Sequence, residues 1–100
     1  MSKDWRESLL NQEVTFEALV IEKRNGYWLL QDIFIIYPNG ERVYFRDHTW
    51  VKSRKIKGAG WIMGTAKVNK YVKKKKHILS NLTMRVPTKD YGLENVKLSN

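Results

Sequence analysis

The sequence predicts a small all-β protein: a five-stranded barrel with a short N-terminal helix or segment and a polar C-terminal tail. Its length of 100 residues suits a single domain. Stretches rich in β-branched and aromatic residues recur between residues 13 and 86, with turn residues between them. Cysteine is absent, which excludes a disulfide framework and a zinc ribbon. The predicted organisation is an N-terminal segment at 1–11, a barrel at 12–87 and a tail at 88–100.

The N-terminal segment has the pattern of one short helix. It would run from Ser2, as the cap, to Asn11, with Trp5 and Leu9 on one side. From Glu13 the apolar period changes to two, which is typical of a strand with one face on a core. The predicted core-facing set of this first strand is Val14, Phe16, Ala18 and Val20.

Two turn signals delimit the next strands. Asn25-Gly26 and Pro38–Gly40 each predict a hairpin turn. The segment Tyr27–Tyr37 between them is rich in β-branched and aromatic residues and predicts the second strand. A third strand is predicted over Arg42–Val51. One of its faces would carry Val43 and Phe45, and the other Tyr44, Arg46 and His48.

A fourth strand is predicted from about Gly60 to Tyr71, and a fifth from Ile78 to Val86. The run Lys73–Lys76 is predicted to be a charged loop between them. Pro87 would end the fifth strand, because proline cannot donate to a ladder. Residues 88–100 are then expected to be a loosely docked tail. The fourth strand repeats the apolar pattern of the first, with small residues that let a small barrel close. Its inward set is Ile62, Gly64, Ala66 and Val68.

The charge of the chain is strongly asymmetric. The formal net charge is +9. Residues 1–50 carry 6 basic and 8 acidic side chains, whereas residues 51–100 carry 13 basic and 2 acidic ones. Between Asp47 and Asp90 there is no acidic residue. A strongly basic half of a small domain attracts a polyanion, and nucleic acid is the expected partner. The alternative is that these basic residues only form a solvated face. No apolar run is long enough to predict a membrane span.

The order of these segments resembles the OB-fold. The similarity covers about residues 12–87: a long first strand, a meander, a glycine-led fourth strand and a basic segment before the fifth. The stretch Phe45–Val51, followed by Gly60–Tyr71, resembles small OB-fold (oligonucleotide-binding) proteins of phages and mobile genetic elements. This implies binding on the face of strands two and three, flanked by the loops between strands one and two and between strands four and five. Residues 52–57 leave little room for the usual helix after strand three, so an SH3-like barrel is the alternative.

Aromatic and basic residues are interleaved on the third and fourth predicted strands. Single-stranded nucleic acid requires both, with cations along the phosphates and rings beneath unstacked bases. The candidate nucleic-acid-binding residues, of which the first two follow from the OB-like resemblance, are Lys23, Arg24, Tyr44, Arg46, His48, Trp61, Lys67, Lys70, Tyr71, Lys73, Lys74, Lys75 and Lys76. The alternatives are that Tyr44 packs across strands and that the N-terminal segment covers Trp61. Trp28 and Trp50 are interpreted as core residues.

The sequence does not predict an enzyme. Asp47 and His48 are adjacent on a strand and would point to opposite faces, without the several carboxylates that metal-assisted phosphodiester hydrolysis uses. Gly58-Ala59-Gly60 lacks the Lys-Ser/Thr of a phosphate-binding loop. We therefore expect no catalytic residue, metal or cofactor.

The predicted function is cytoplasmic, non-enzymatic binding of single-stranded DNA or RNA, without a membrane or small-molecule partner. The resemblance implies a DNA replication or recombination accessory of a phage or mobile element. The alternative is a basic protein-interaction module, such as a polymerase or helicase subunit or an inhibitor of a host defence enzyme. Its partner would be a replication or defence protein.

Overall fold

The computed structural model describes residues 4–79 and 82–99, with side chains described for residues 4–71 and 90–99. A 3₁₀ helix, Trp5–Leu9, precedes five strands: β1 (Glu13–Arg24), β2 (Tyr27–Ile36), β3 (Arg42–Val51), β4 (Gly60–Leu79) and β5 (Leu82–Leu98). The strands form one antiparallel sheet in the order β3-β2-β1-β4-β5. This sheet curls into a half-barrel, which confirms the prediction of a small all-β barrel. Within the described ranges, no helix has the length and apolar content needed to cross a membrane.

Both predicted hairpin turns are present. Asn25 and Gly26 connect β1 to β2 with φ angles of 53° and 83°. A two-residue hairpin turn with positive φ at both positions matches the twist of its strands, and Asn-Gly is the preferred pair. Between β2 and β3, the Tyr37 N–H donates to the Glu41 carbonyl at 2.9 Å, and Gly40 has a φ of 89°. These turns fix the β1-β2-β3 meander.

The predicted inward sets of β1 and β4 lie side by side on the core face of the sheet, as the repeated apolar pattern predicts. The two sets are direct antiparallel neighbours, with Val14 opposite Ala66 and Ala18 opposite Ile62. Val14 and Ile62 are partly buried against the core. The fully enclosed members of the two sets are Phe16, Ala18, Val20, Ala66 and Val68. Gly64 allows β4 and β5 to approach closely, because a Cβ at this position would lie 1.9 Å from the Lys97 carbonyl oxygen of β5.

Three register shifts interrupt the period of two in the meander: two in the β1–β2 ladder, at Glu17/Leu19 and Val20/Glu22, and one in the β2–β3 ladder. Asp32 of β2 has a φ of 51°, and the β1–β2 register shifts beside it. In the β2–β3 ladder, Ile33 pairs with Arg46 and the next residue, Phe34, pairs with Tyr44. Phe45 is thus an extra residue in β3. The extra residue reverses the facing of the next position, so Arg46 turns inward together with its ladder partner Ile33.

This reversal corrects the predicted face of β3. Tyr44 is exposed, whereas both Phe45 and Arg46 are buried, so Tyr44, Arg46 and His48 do not share one face. Arg46 lies where β5 approaches β3. Its Nη1 donates to the Tyr71 hydroxyl at 2.9 Å and to the Tyr91 carbonyl at 2.7 Å. We call this approach of β3 to β5 the seam.

The N-terminal segment closes one end of the barrel. Its helix is a single 3₁₀ stretch capped by Asp4, whose side chain accepts from the Arg6 N–H; the predicted cap, Ser2, lies outside the described residues. Leu9 is buried, and the ring of Trp5 meets that of Phe45 edge-on at 6.4 Å. The segment is therefore shorter than predicted and is packed on the barrel.

The predicted tail is part of β5, which continues to Leu98. Tyr91, Leu93 and Val96 are buried in the core. The prediction of a loosely docked tail was wrong because a register shift, at Asn95 with its φ of 53°, moves the inward positions from odd to even numbers. The sparse apolar residues therefore do not show a continuous period of two.

The run Lys73–Lys76 is also in a strand, where a loop was predicted. β1 pairs with β4 over Gly60–Lys67, and in the described chain β4 beyond Val68 has only β5 as a ladder partner. From the pair Val72–Lys89 to the pair Leu79–Leu82 the two strands form an antiparallel extension. We call this extension the ribbon. Eight residues per strand correspond to a length of about 25 Å.

Candidate nucleic-acid interface

The side of the sheet that faces away from the core, here called the outer face, carries the most exposed aromatic residue. Trp61 of β4 pairs with Leu19 of β1, which pairs with Gln31 of β2, which pairs with His48 of β3. These four residues form one row across the sheet. Three strand spacings separate Trp61 from His48, or about 14 Å.

Trp61 is available to a ligand. Its side chain is 58% exposed, and Met63, two residues along the strand, is also exposed. The N-terminal 3₁₀ helix does not cover it, since that helix packs on Phe45 at the end of the barrel. In the part of the chain that the structure describes, no other aromatic ring lies against it. The alternative in which Trp61 is covered by the N-terminal segment is therefore wrong.

Exposed cations precede Trp61 along the chain, in the connection between β3 and β4. The connection is held to the core by Ile56, which is buried. Its exposed basic residues are Lys52, Arg54, Lys55 and Lys57. Lys55 and Lys57, with Lys97 and Leu98 of β5, line a cavity of about 360 Å³. This cluster is absent from the residues predicted above, although the density of lysine and arginine at 52–57 is a signal visible in the sequence.

Two predicted cations of β4 have acidic neighbours. The Lys70 ammonium lies 2.8 Å from Glu7 and 5.3 Å from the centre of the Tyr91 ring. The hydrogen bond to Glu7 raises the pKa of Lys70 above its ordinary value. Lys67 is paired in the ladder with Glu13. The Lys70–Glu7 ion pair attaches the N-terminal segment to β4 and partly compensates the charge of Lys70.

The predicted site residues at the seam are engaged within the protein. Arg46 is almost fully buried, and its Nη2 lies 3.7 Å from the Asp90 carboxylate. Tyr71 is half-buried, and its hydroxyl accepts a hydrogen bond from Arg46. A ligand on the outer face would not reach Arg46 without displacing these contacts.

The β2–β3 end of the outer face is acidic. Tyr44 is 47% exposed, and its ring packs edge-on against Phe34 at 5.4 Å, as the cross-strand alternative anticipated. Partial burial, together with the charges of Asp32 and Asp47, raises the pKa of its phenol. His48 is half-buried, with Nδ1 3.2 Å from Asp47 Oδ1. Two carboxylates beside Tyr44 repel phosphate.

Lys23 and Arg24 lie at the β1–β2 turn, both exposed. The Lys23 ammonium lies 5.5 Å from the centre of the Trp28 ring, and Arg24 forms an ion pair of 3.1 Å with Glu22. Trp28 packs against the core, as predicted. Trp50 does not, since it is 38% exposed on the outer face. The residues Arg24, Asn25, Tyr27 and Trp50 line a shallow cavity of about 360 Å³.

The described residues contain no cluster of three or more acidic or histidine side chains that could hold a metal ion. The four lysines at 73–76 lie in the ribbon, where backbone pairing places them opposite residues 85–88. Comparisons with protein-family models, curated protein sequences and solved structures gave no match.

Proposed function

We propose that the protein binds single-stranded nucleic acid, with Trp61 as the ring on which an unstacked base rests. The observation that carries this proposal is the exposure of Trp61 on the outer face. Trp61 also belongs to the stretch of the sequence between Asp47 and Asp90, which contains no acidic residue. Base–aromatic stacking contributes about 1–3 kcal/mol per base and tolerates any sequence. The binding should therefore discriminate little between sequences.

The proposed interface is smaller than the set of residues predicted from the sequence. It retains Trp61 and the basic residues of the β3–β4 connection. It leaves out Arg46, which is buried at the seam, and Tyr44, which lies beside two carboxylates. A five-stranded, partly open barrel is also the architecture of OB-folds, so an OB-like assignment is part of this proposal.

The experiment is a titration of labelled single-stranded and duplex oligonucleotides with wild-type protein and single variants. Trp61→Ala should weaken single-strand binding by about 1–3 kcal/mol, roughly 5- to 150-fold, because one stacking partner is lost. Duplex binding should hardly change, since phosphates carry no base information. Trp61→Phe should restore most of the affinity, and tryptophan fluorescence should be quenched on binding to the wild type.

Tyr44→Ala is the matched control, because it removes a ring of comparable exposure from the acidic end of the same face. It should leave single-strand affinity close to that of the wild type. If Trp61→Ala binds as tightly as the wild type while melting at the same temperature, Trp61 is not a stacking site. In that case the protein-interaction module becomes the better interpretation.

A further inference from the structure

The ribbon makes the molecule longer than a compact domain of its size. The principal extents are 51 × 36 × 19 Å, and the Cα radius of gyration is 15.2 Å, against about 13 Å for a typical compact chain of 100 residues. The ladder between β4 and β5 continues for eight residue pairs, Val72–Lys89 to Leu79–Leu82, past the part of β4 that pairs with β1. A two-stranded arm therefore extends from the barrel.

The charged residues of the arm are all basic, and they lie in its barrel-side half, at 73–76, 85 and 89. Residues 72–89 include six lysines and arginines and no acidic residue. This differs from the barrel end of β4, where Lys67 and Lys70 have Glu13 and Glu7 as neighbours. A cationic arm without compensating acids is suited to a partner with a high density of negative charge.

Its dimensions fit a duplex groove. Paired strands lie about 5 Å apart, and the major groove of B-form DNA, about 12 Å wide, admits a two-stranded β-ribbon. A ladder of about 25 Å covers most of one helical turn, which rises about 34 Å. The contacts expected along such a groove are to phosphates, so they position the duplex without reading its sequence.

Stacking on Trp61, by contrast, requires a base that is neither paired nor stacked in a duplex. The same strand carries both features, since Trp61 lies near the start of β4 and the ribbon forms its end. Eleven residues separate Trp61 from Val72, a distance of about 36 Å along an extended strand. A single ligand therefore contacts both Trp61 and the ribbon only if it has a single-stranded part and a duplex part separated by about this distance.

We propose that the preferred ligand is a junction between single-stranded and duplex DNA, with the ribbon along the duplex and Trp61 beneath a base of the single strand. This inference rests on the proposed function, because it assigns the single-stranded part to Trp61. Two linked contacts make the second binding event intramolecular, so a junction should bind more tightly than either simple ligand.

The test uses three labelled probes: a single strand, a blunt duplex, and a duplex with a single-stranded overhang. The wild type should bind the overhang probe at least about tenfold more tightly than the better of the other two. Trp61→Ala should abolish this advantage and leave duplex binding unchanged. A variant with Lys73, Lys74, Lys75 and Lys76 all replaced by Ser should also abolish it, while single-strand binding remains sensitive to Trp61.

The matched control replaces the same four lysines by Arg, which keeps the charge and should keep the junction preference. For the Ser variant, the log–log salt dependence of duplex binding should flatten by about 0.9 per lost phosphate contact. The inference is overturned if the wild type binds the overhang probe no more tightly than the single strand or the blunt duplex. This holds even where single-strand binding through Trp61 persists. Absence of single-strand binding overturns the proposed function and this inference together.

Discussion

Arg46 closes the seam of the barrel, and its removal should be the most destabilising single change among the charged residues discussed. The guanidinium donates to the Tyr71 hydroxyl and to the Tyr91 carbonyl, and lies 3.7 Å from Asp90. In the described residues, β3 and β5 share no hydrogen-bonded ladder, so this side chain carries the polar contacts between them. Arg46→Met keeps the aliphatic stem and removes all three polar interactions.

The expected loss follows from these contacts. A hydrogen bond to a charged group contributes about 1.5–3 kcal/mol, and Arg46 donates two of them, whereas its pair with the 34% exposed Asp90 adds little. Arg46→Met should therefore reduce the free energy of unfolding by about 3–5 kcal/mol. Arg46→Lys keeps a single point charge without the planar fork, and it should lose about 1–3 kcal/mol.

The assay is urea unfolding followed by far-UV circular dichroism at neutral pH. Arg42→Met is the matched control on the same strand, because Arg42 forms an exposed ion pair with Glu17. An exposed pair contributes less than about 1 kcal/mol. Amide hydrogen exchange should also accelerate first at Thr49 and Gly92, which face each other across the seam. If Arg46→Met costs no more than Arg42→Met, apolar packing alone closes the barrel and the reasoning given for Arg46 is refuted.

Two further predictions concern the barrel and its N-terminal cap. Ala66→Leu should cost about 1–3 kcal/mol, since Ala66 is enclosed opposite Val14, and a thermal melt that matches the wild type would contradict this packing. The hydrogen bond from Arg6 lowers the pKa of Asp4 from 3.8 to about 2. Its contribution to stability is therefore present above about pH 4 and is lost as the pH falls towards 2. Asp4→Asn should remove this part of the acid dependence, which urea midpoints measured through that range would detect.

The repeated apolar pattern was sufficient to predict β1 and β4, because both strands keep an unbroken period of two where they pair. Residues such as Phe16 and Ala66 face the core at the predicted positions. The turn at Asn25-Gly26 was equally predictable, since few residue pairs adopt its backbone angles at low cost. In each case the cause is local and is visible in the sequence.

The errors in the predicted facing of β3 and β5 have a common cause in bulges. Phe45 inserts one residue into β3 and brings Arg46 to the seam, so an arginine expected on the surface is buried. The shift at Asn95 reverses the facing of β5, which made the C-terminal residues resemble a polar tail. Bulges are set by the packing of the whole barrel and leave only a weak local signal.

The exposure of the tryptophans could be predicted only in part. For Trp61 the sequence left exposure and cover by the N-terminal segment both open, and the residue is exposed, whereas Trp50, interpreted as core, is exposed as well. The lysine run at 73–76 was recognised as a basic feature, but its strand structure was not, because lysine has a low β-propensity. Pairing with β5 outweighs that preference.

The open edges of the ribbon have a consequence for the protein at high concentration. A two-stranded extension leaves backbone donors and acceptors along both of its outer sides, and an unprotected strand edge can pair with the edge of another copy. Lysine on edge strands is a common protection against such pairing, since like charges repel. The run Lys73–Lys76 therefore favours a monodisperse protein, whether or not nucleic acid is present. Neutralising it removes that protection, and the variant protein has to be kept dilute to remain free of β-aggregates.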